Sequence, residues 1–262
     1  MPGRPWTEPE IVSAVALYYQ IPFGAIDEKN PAVIELARHL GRSPGAVSLK
    51  LANLASLDQT VIASGRRGMA NASQLDRRVF AESMNSWQRL AEELPMVVQD
   101  AIDRRREHVD LTSRVRDRSD VDVAEGRRTE VSGSVMLRRG QDFFRNATLA
   151  AYRGRCCVTL LPIRELLRAS HIIPWAVDAS SRLDPTNGLC LNSLYDAAFD
   201  RGLLTLDESH RVVFARSLRE RVTEEVWAEW FGGYEGRTIE MPERLVPRAA
   251  ALLFHREQIF TG

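Results

Sequence analysis

The stretch from Ser170 to Gly202 constrains the fold of this chain more than any other feature. It reads SHIIPWAVDASSRLDPTNGLCLNSLYDAAFDRG, with His171 after a short apolar run and Asn187 before the apolar run GLCL. Asp196 and Asp200 follow four residues apart, so a helix at this point would place both carboxylates on one face. Two carboxylates on one face repel each other unless something binds between them, and a hard divalent cation is the usual occupant. The pattern therefore predicts a metal site beside a histidine at the end of a strand.

This set of residues suits metal-assisted hydrolysis of a phosphodiester. The attacking water needs a base, and histidine, with an unperturbed pKa of about 6.5, suits that role. A cation would neutralise charge on the scissile phosphate and stabilise the leaving 3′ oxygen. Arginine can also form bidentate hydrogen bonds with phosphate oxygens. The arginines close in sequence are Arg145, Arg155 and Arg201, and a solvated surface arginine is the alternative for each.

Four stretches of the C-terminal half resemble the HNH endonuclease family, in particular the subgroup found in bacterial restriction proteins. They lie within residues 138–217 and read RRGQDFFRNATLAAYRGRCCVT, LLRASHIIPW, NGLCL and DAAFDRGLLTLDESHRVV. The resemblance implies a ββα-metal fold, in which a β-hairpin and a helix hold one cation. It also implies the site residues: His171 as the general base, Asn187 as the holder of the loop that aims the base, and Asp196 and Asp200 as metal ligands.

The chain departs from the family pattern at two positions. Many relatives carry His or Asp directly before the general base, as an extra metal ligand, and Ser170 stands there. The third letter of the family name is usually His, and the aligned residue is Asp196. Ligation by oxygen alone favours Mg²⁺ or Mn²⁺ over Zn²⁺ or Ni²⁺. The same departures keep a second interpretation open, a DNA-binding or interaction protein whose nuclease site is degenerate.

Cysteine content and charge narrow the class of protein. Cys156, Cys157 and Cys190 are the three cysteines and include no CxxC pair, so a four-cysteine zinc site cannot form and no structural zinc is expected. Few cysteines, no signal peptide and no long apolar segment predict a cytoplasmic protein that does not associate with membranes. The formal net charge of +0 does not by itself indicate a nucleic-acid partner.

The length of 262 residues is sufficient for two modest domains, each with its own core. We expect an all-helical domain over residues 1–109, a charged linker over 110–134, and a nuclease domain with a C-terminal helical extension over 135–262. The linker is assigned because that stretch is charged and poor in aromatic residues. The expected fold class is α+β.

The N-terminal part shows three helix starts. Thr7 begins a capping box with Glu10, Asn30 precedes Pro31, and Ser43 precedes Pro44. The last two helices, joined by a tight turn, predict a helix-turn-helix-like DNA-binding unit, and the opening tryptophan with LARHLGRSPGAVSLKLANL resembles Myb/SANT-type modules. The residues expected to face outward and contact DNA are Ser48, Lys50 and Asn53. A small helical domain for dimerisation or protein contact is the alternative.

These features together predict a metal-dependent endonuclease that acts on double-stranded DNA. A restriction or phage-defence role is favoured, because a nuclease core that contacts mainly the backbone needs another module to choose its target. Restriction that depends on DNA modification is a narrower version of the same hypothesis. A nuclease for RNA or structured DNA and a homodimeric assembly both stay open.

Overall fold

The N-terminal part of the chain is built from short helices. The computed structural model describes residues 4–66, 68–84, 86–107 and 128–262, without the side chains of residues 104–135. The N-terminal helices are α1 (Glu8–Gln20), α2 (Pro31–Leu40), α3 (Pro44–Ala55), α4 (Gln59–Ala63), α5 (Gln74–Ser83), α6 (Trp87–Glu93) and α7 (Met96–Glu107).

The capping residues expected from the sequence start the first three helices. The Asn30 side chain accepts a hydrogen bond of 3.0 Å from a backbone N–H in the first turn of α2, and Ser43 accepts one of 3.2 Å in α3. The Thr7 N–H donates to the Glu10 carboxylate over 2.8 Å at the start of α1. Each cap pairs a backbone N–H group that the helix end would otherwise leave without a partner. The three predicted helices are confirmed, and their helix-turn-helix character stays a prediction.

The prediction that residues of α3 face outward is wrong for Lys50 and Asn53, which are buried. Lys50 is 7% exposed, and its Nζ lies 2.7 and 2.8 Å from the two oxygens of the fully buried Asp76 at the start of α5. Asn53 is also buried, whereas Ser48 is half-buried. A buried ammonium needs a charged partner, and Asp76 supplies it because α5 packs on this side of α3. Lys50 and Asn53 therefore lie on a packing face.

The N-terminal helices and the C-terminal half share one apolar core. Helix α8 (Arg128–Ala151) packs on α1 and α6, where Phe143 and Trp87 have ring centroids 6.2 Å apart. Arg244 is fully buried and donates hydrogen bonds to the carbonyls of Tyr18 and Ile21 at the end of α1. The two separate cores expected from the length are thus not found among the described residues.

Part of the predicted linker is helical. Helix α8 begins at Arg128, inside the stretch 110–134 expected to connect two domains. Residues 110–127 of that stretch lie outside the described residues. The domain limits 1–109 and 135–262 stay a prediction.

Two antiparallel strands followed at once by a helix form the centre of the C-terminal half. Strands β1 (Leu167–His171) and β2 (Gly188–Asn192) pair over their whole length, with His171 opposite Gly188. Helix α9 (Ser193–Asp200) begins at the residue after β2. Helices α8 and α9 both pack on this strand pair. This is the ββα order that the resemblance implied.

A second strand pair and short helices complete the chain. They are β3 (Leu204–Leu206) and β4 (Val212–Phe214), α10 (Arg216–Arg221), α11 (Glu224–Trp227), a π-helical turn (Ala228–Gly232) and α12 (Ala249–Gln258). His255 of α12 is buried against α9: its Nε2 donates to the Phe199 carbonyl over 3.1 Å, and its Nδ1 accepts from the Thr205 hydroxyl over 2.9 Å. Burial lowers the pKa of His255 to about 4. Across the described residues, no helix combines the length and apolar character of a membrane span.

Candidate active site

His171 lies at the end of β1 and is held on three sides. Its ring stacks on Phe144 of α8, with centroids 3.9 Å apart and planes 7° from parallel, and Trp175 meets it edge-on at 5.5 Å. The His171 Nε2 lies 2.9 Å from the Arg182 carbonyl oxygen. Because a carbonyl oxygen only accepts, Nε2 carries the proton in the neutral ring, and Nδ1 keeps its lone pair. Burial lowers the pKa of His171 below its ordinary value, and the carbonyl contact partly opposes this.

Asn187 joins the two ends of the loop between β1 and β2 by hydrogen bonds. It is fully buried, its Oδ1 accepts from the Ile173 N–H over 2.9 Å, and its Nδ2 donates to the Ile173 carbonyl over 3.1 Å. The same amide also reaches Ser181, with Nδ2 3.3 Å from the hydroxyl oxygen. The loop so closed contains Arg182, whose carbonyl orients His171.

Gly188 permits the close approach of β2 to α8. A Cβ at this position would lie 2.7 Å from the Thr148 hydroxyl and 3.0 Å from the Phe144 ring. Phe144 is the ring on which His171 stacks. A side chain at residue 188 would therefore displace the surface that supports the imidazole.

Asp196 and Asp200 lie one turn apart on α9. The Asn192 side chain accepts the Leu194 and Tyr195 N–H groups and so starts this helix directly after β2. Partial loss of hydration raises the pKa of both carboxyls, and the neighbouring Asp196 charge raises that of Asp200 further. The two groups thus form a site of negative charge that a cation would stabilise.

The Ser170 hydroxyl faces this pair of carboxylates. Ser170 is 3% exposed, and its Oγ has no hydrogen-bond partner of ordinary geometry among the described residues. It lies close enough to Asp196 and Asp200 to lower the pKa of each. A buried hydroxyl without a partner is costly, so its position beside two carboxylates indicates a place for a further ligand.

The donor set fits a small hard cation. Within the described ranges, no group of three or more His, Cys, Asp and Glu side chains converges, so the protein offers two carboxylates and one hydroxyl. Mg²⁺ commonly binds one or two carboxylates and completes its shell with waters and substrate phosphate. The residues that could hold it are Asp196, Asp200 and Ser170. Zinc and other metals that prefer nitrogen or sulfur find no such ligands in this cluster.

Two arginines lie beside the carboxylates, and one of them is not among the candidates from the sequence. Arg201 and Arg168 both lower the pKa of Asp196, and Arg201 also lowers that of Asp200. Both side chains are exposed. Alternation along β1 places Arg168 on the same side as Ser170, and this period of two is the signal that could have identified it.

The other two arginine candidates lie elsewhere. Arg145 on α8 is half-buried and donates to the Leu167 carbonyl over 3.1 Å, at the opposite end of β1 from His171. Arg155 is exposed in the turn after α8, and no contact ties it to the carboxylates within the part of the chain that is described. Of the three candidates, the structure brings Arg201 to the carboxylate pair.

The comparison with known families agrees with this geometry. A family model described as HNH endonuclease matches residues 156–207, a range that contains His171, Asn187, Asp196 and Asp200. No curated protein matches the chain. The segment from residue 156 to residue 207 is therefore similar to HNH endonucleases.

Proposed function

We propose that this protein is a metal-dependent endonuclease that hydrolyses phosphodiester bonds of double-stranded DNA. The observation that carries the proposal is that a candidate base and a candidate metal site lie next to each other at one end of β1. Ser170 turns toward the carboxylates of α9, and the next residue, His171, presents an imidazole whose Nδ1 is not used by its supporting contacts.

His171 is the base in this scheme. The Arg182 carbonyl holds Nε2–H, so Nδ1 is the atom that takes a proton from the attacking water. As oxygen of that water bonds to phosphorus, the bond from phosphorus to the 3′ oxygen breaks. The lowered pKa of His171 keeps the imidazole neutral near pH 7, which is the form that accepts a proton.

The remaining residues bind and orient. Asp196, Asp200 and the Ser170 hydroxyl would hold Mg²⁺ or Mn²⁺, which neutralises charge on the phosphate and the leaving oxygen when bound. Arg168 and Arg201 are exposed beside these carboxylates and supply hydrogen-bond donors for phosphate oxygens.

A role in restriction or phage defence is the narrower proposal. Contacts to phosphates place a protein on DNA but carry no direct sequence information, so target choice needs a further surface. The helices before residue 109 are the proposed targeting unit, with half-buried Ser48 as the member of the predicted set that is still accessible. A homodimer would supply one active site for each strand.

A second candidate function is a DNA-binding protein with a degenerate site. Ser170 favours it, because a neutral hydroxyl stands where many relatives carry a charged or imidazole ligand. In this case the protein would bind DNA with the same arginines and leave it intact.

Incubation of the purified full chain with methylated and unmethylated plasmid and phage DNA tests both candidates. We expect cleavage with Mg²⁺ or Mn²⁺ and none with a chelator, and a difference between the two DNA preparations if modification matters. His171→Ala should abolish cleavage, whereas His39→Ala, a change at an exposed histidine on α2, should not. Binding without cleavage under every metal condition would favour the degenerate site.

A further inference from the structure

A cavity of about 500 Å³ opens between the start of α9 and the π-helical turn Ala228–Gly232. Its walls are mainly apolar and aromatic, with a few polar groups at the edge. They include Leu166, Leu194, Tyr195, Glu229, Trp230 and Tyr234. This size and this mixture are typical of sites that take a small organic ring system.

We propose that this cavity takes an unstacked nucleobase of the DNA strand that the active site cuts. The proposal rests on the proposed endonuclease function and adds a substrate contact outside the residues that hold and cut the phosphate.

Trp230 presents an aromatic face that the fold does not use. Its side chain is 52% exposed, whereas Trp227 and Phe231 beside it are buried in a cluster with Phe214. The Trp230 carbonyl accepts a hydrogen bond of 2.6 Å from the buried Tyr195 hydroxyl, so the turn is fastened to α9. π-Helical turns are rare and occur frequently at functional sites. An exposed indole on a fixed support suits stacking with a base.

The polar groups at the edge favour a base over a phosphate. The Glu229 carboxylate is exposed, forms no ion pair among the described residues, and would repel an anion. It can accept a hydrogen bond from the exocyclic amino group of a base, as carboxylates do with cytosine. The Thr159 hydroxyl accepts from the Asn192 amide over 3.0 Å, so its own proton is free to be donated toward a ring nitrogen or carbonyl.

The cavity lies on the path of the strand. Asn192 caps the N-terminus of α9, and Asp196 lies in the first turn of the same helix. Asn192 also lines the cavity, so this part of the wall lies about one helical turn, roughly 5.4 Å, from Asp196 along the helix axis. A strand whose phosphate lies at the carboxylates can therefore place a neighbouring base in the cavity. Arg168, beside Asp196, provides positive charge for the intervening backbone.

Binding of two short single strands tests the proposal, with His171→Ala as the background so that no strand is cut. One strand is oligodeoxycytidylate, and the other has the same backbone with every base removed. Trp230→Ala should weaken binding of the cytidylate strand by about 5- to 150-fold and leave binding of the base-free strand unchanged. Glu229→Gln should weaken the cytidylate strand more than a thymidylate strand, which lacks the amino group. Leu253→Ala, an exposed apolar residue on α12, is the control and should change neither.

Each other outcome overturns the inference. Equal binding of the cytidylate strand by the background protein and Trp230→Ala excludes a stacked base. Equal losses on both strands mean that Trp230 contacts the backbone or supports the surface. If the wild-type protein cleaves duplex DNA and either of these two binding results is obtained, the endonuclease function stands and the base site fails. If duplex DNA is not cleaved but cytidylate binding depends on Trp230, the base site stands and the endonuclease fails.

Discussion

Replacing Asn187 with alanine tests whether the loop after β1 positions His171. Asn187 forms two close hydrogen bonds with the backbone of Ile173, of 2.9 and 3.1 Å. Alanine would leave both backbone groups without these partners, and each buried polar group left unsatisfied costs about 1–3 kcal/mol. Ile173 is half-buried, so we expect the free energy of unfolding to fall by about 2–4 kcal/mol. A protein with a total of about 5–15 kcal/mol remains folded after such a loss.

The folded variant should also cleave DNA more slowly. The loop that Asn187 closes contains the Arg182 carbonyl, which fixes the His171 ring. Misplacement of a catalytic group by about 1 Å can cost about 10²-fold in rate, so we expect a 10- to 100-fold loss by that estimate. Asn30→Ala is the matched control, since Asn30 is buried with side-chain hydrogen bonds of 3.0 and 2.7 Å far from His171.

Thermal unfolding and single-turnover cleavage, measured at a temperature where both variants are folded, separate the two effects. We expect both variants to be destabilised and Asn187→Ala alone to be slow. A folded Asn187→Ala protein that cleaves at the wild-type rate would refute the positioning role.

Three further changes test the surroundings of the site. Gly202→Ala should destabilise the protein by about 1–3 kcal/mol more than Gly236→Ala, as measured by thermal unfolding. Both glycines have φ near +70°, so the backbone strain is similar. A Cβ at Gly202 would lie 2.1 Å from the Ile259 carbonyl oxygen, whereas the space at Gly236 is open. The lowered pKa of His255 means that its contribution to stability is fully present above pH 6.5 and is lost as the pH falls toward 4; chemical unfolding should show a steeper loss in the wild type than in His255→Gln. Arg244→Met should lower the stability of the whole described core, because two carbonyls lose their donor, and calorimetry should show one transition rather than two.

Local signals account for the features that the sequence predicted well. The helix caps at Asn30 and Ser43 are hydrogen bonds to backbone groups at most three residues away, and both form as expected. The strand that ends at His171 and the helix that carries Asp196 and Asp200 follow from apolar runs and four-residue spacing. Such features depend on short stretches of chain, so a single sequence contains the information they require.

Features that depend on distant partners were not predictable in this way. Lys50 is buried because Asp76, twenty-six residues away, meets it across α3 and α5. Arg244 reaches the end of α1 from the far end of the chain, and that contact helps to join two regions expected to have separate cores. Alternation along β1 could place Arg168 beside Ser170, but its proximity to Asp196 depends on the packing of α9 on β1.

The rate of DNA cleavage as a function of metal concentration and pH, for the wild type, His171→Ala and Asp200→Asn, tests the central claim most directly. At saturating Mg²⁺ or Mn²⁺, His171→Ala should lose about 10²–10⁴-fold in rate without needing more metal. Asp200→Asn should need more metal for half of its maximal rate, because one charged oxygen ligand is lost. The wild-type rate should rise with pH through a midpoint below 6.5, since burial lowers the pKa of the base. Wild-type cleavage by a folded His171→Ala protein, or an unchanged metal requirement in Asp200→Asn, would contradict the account.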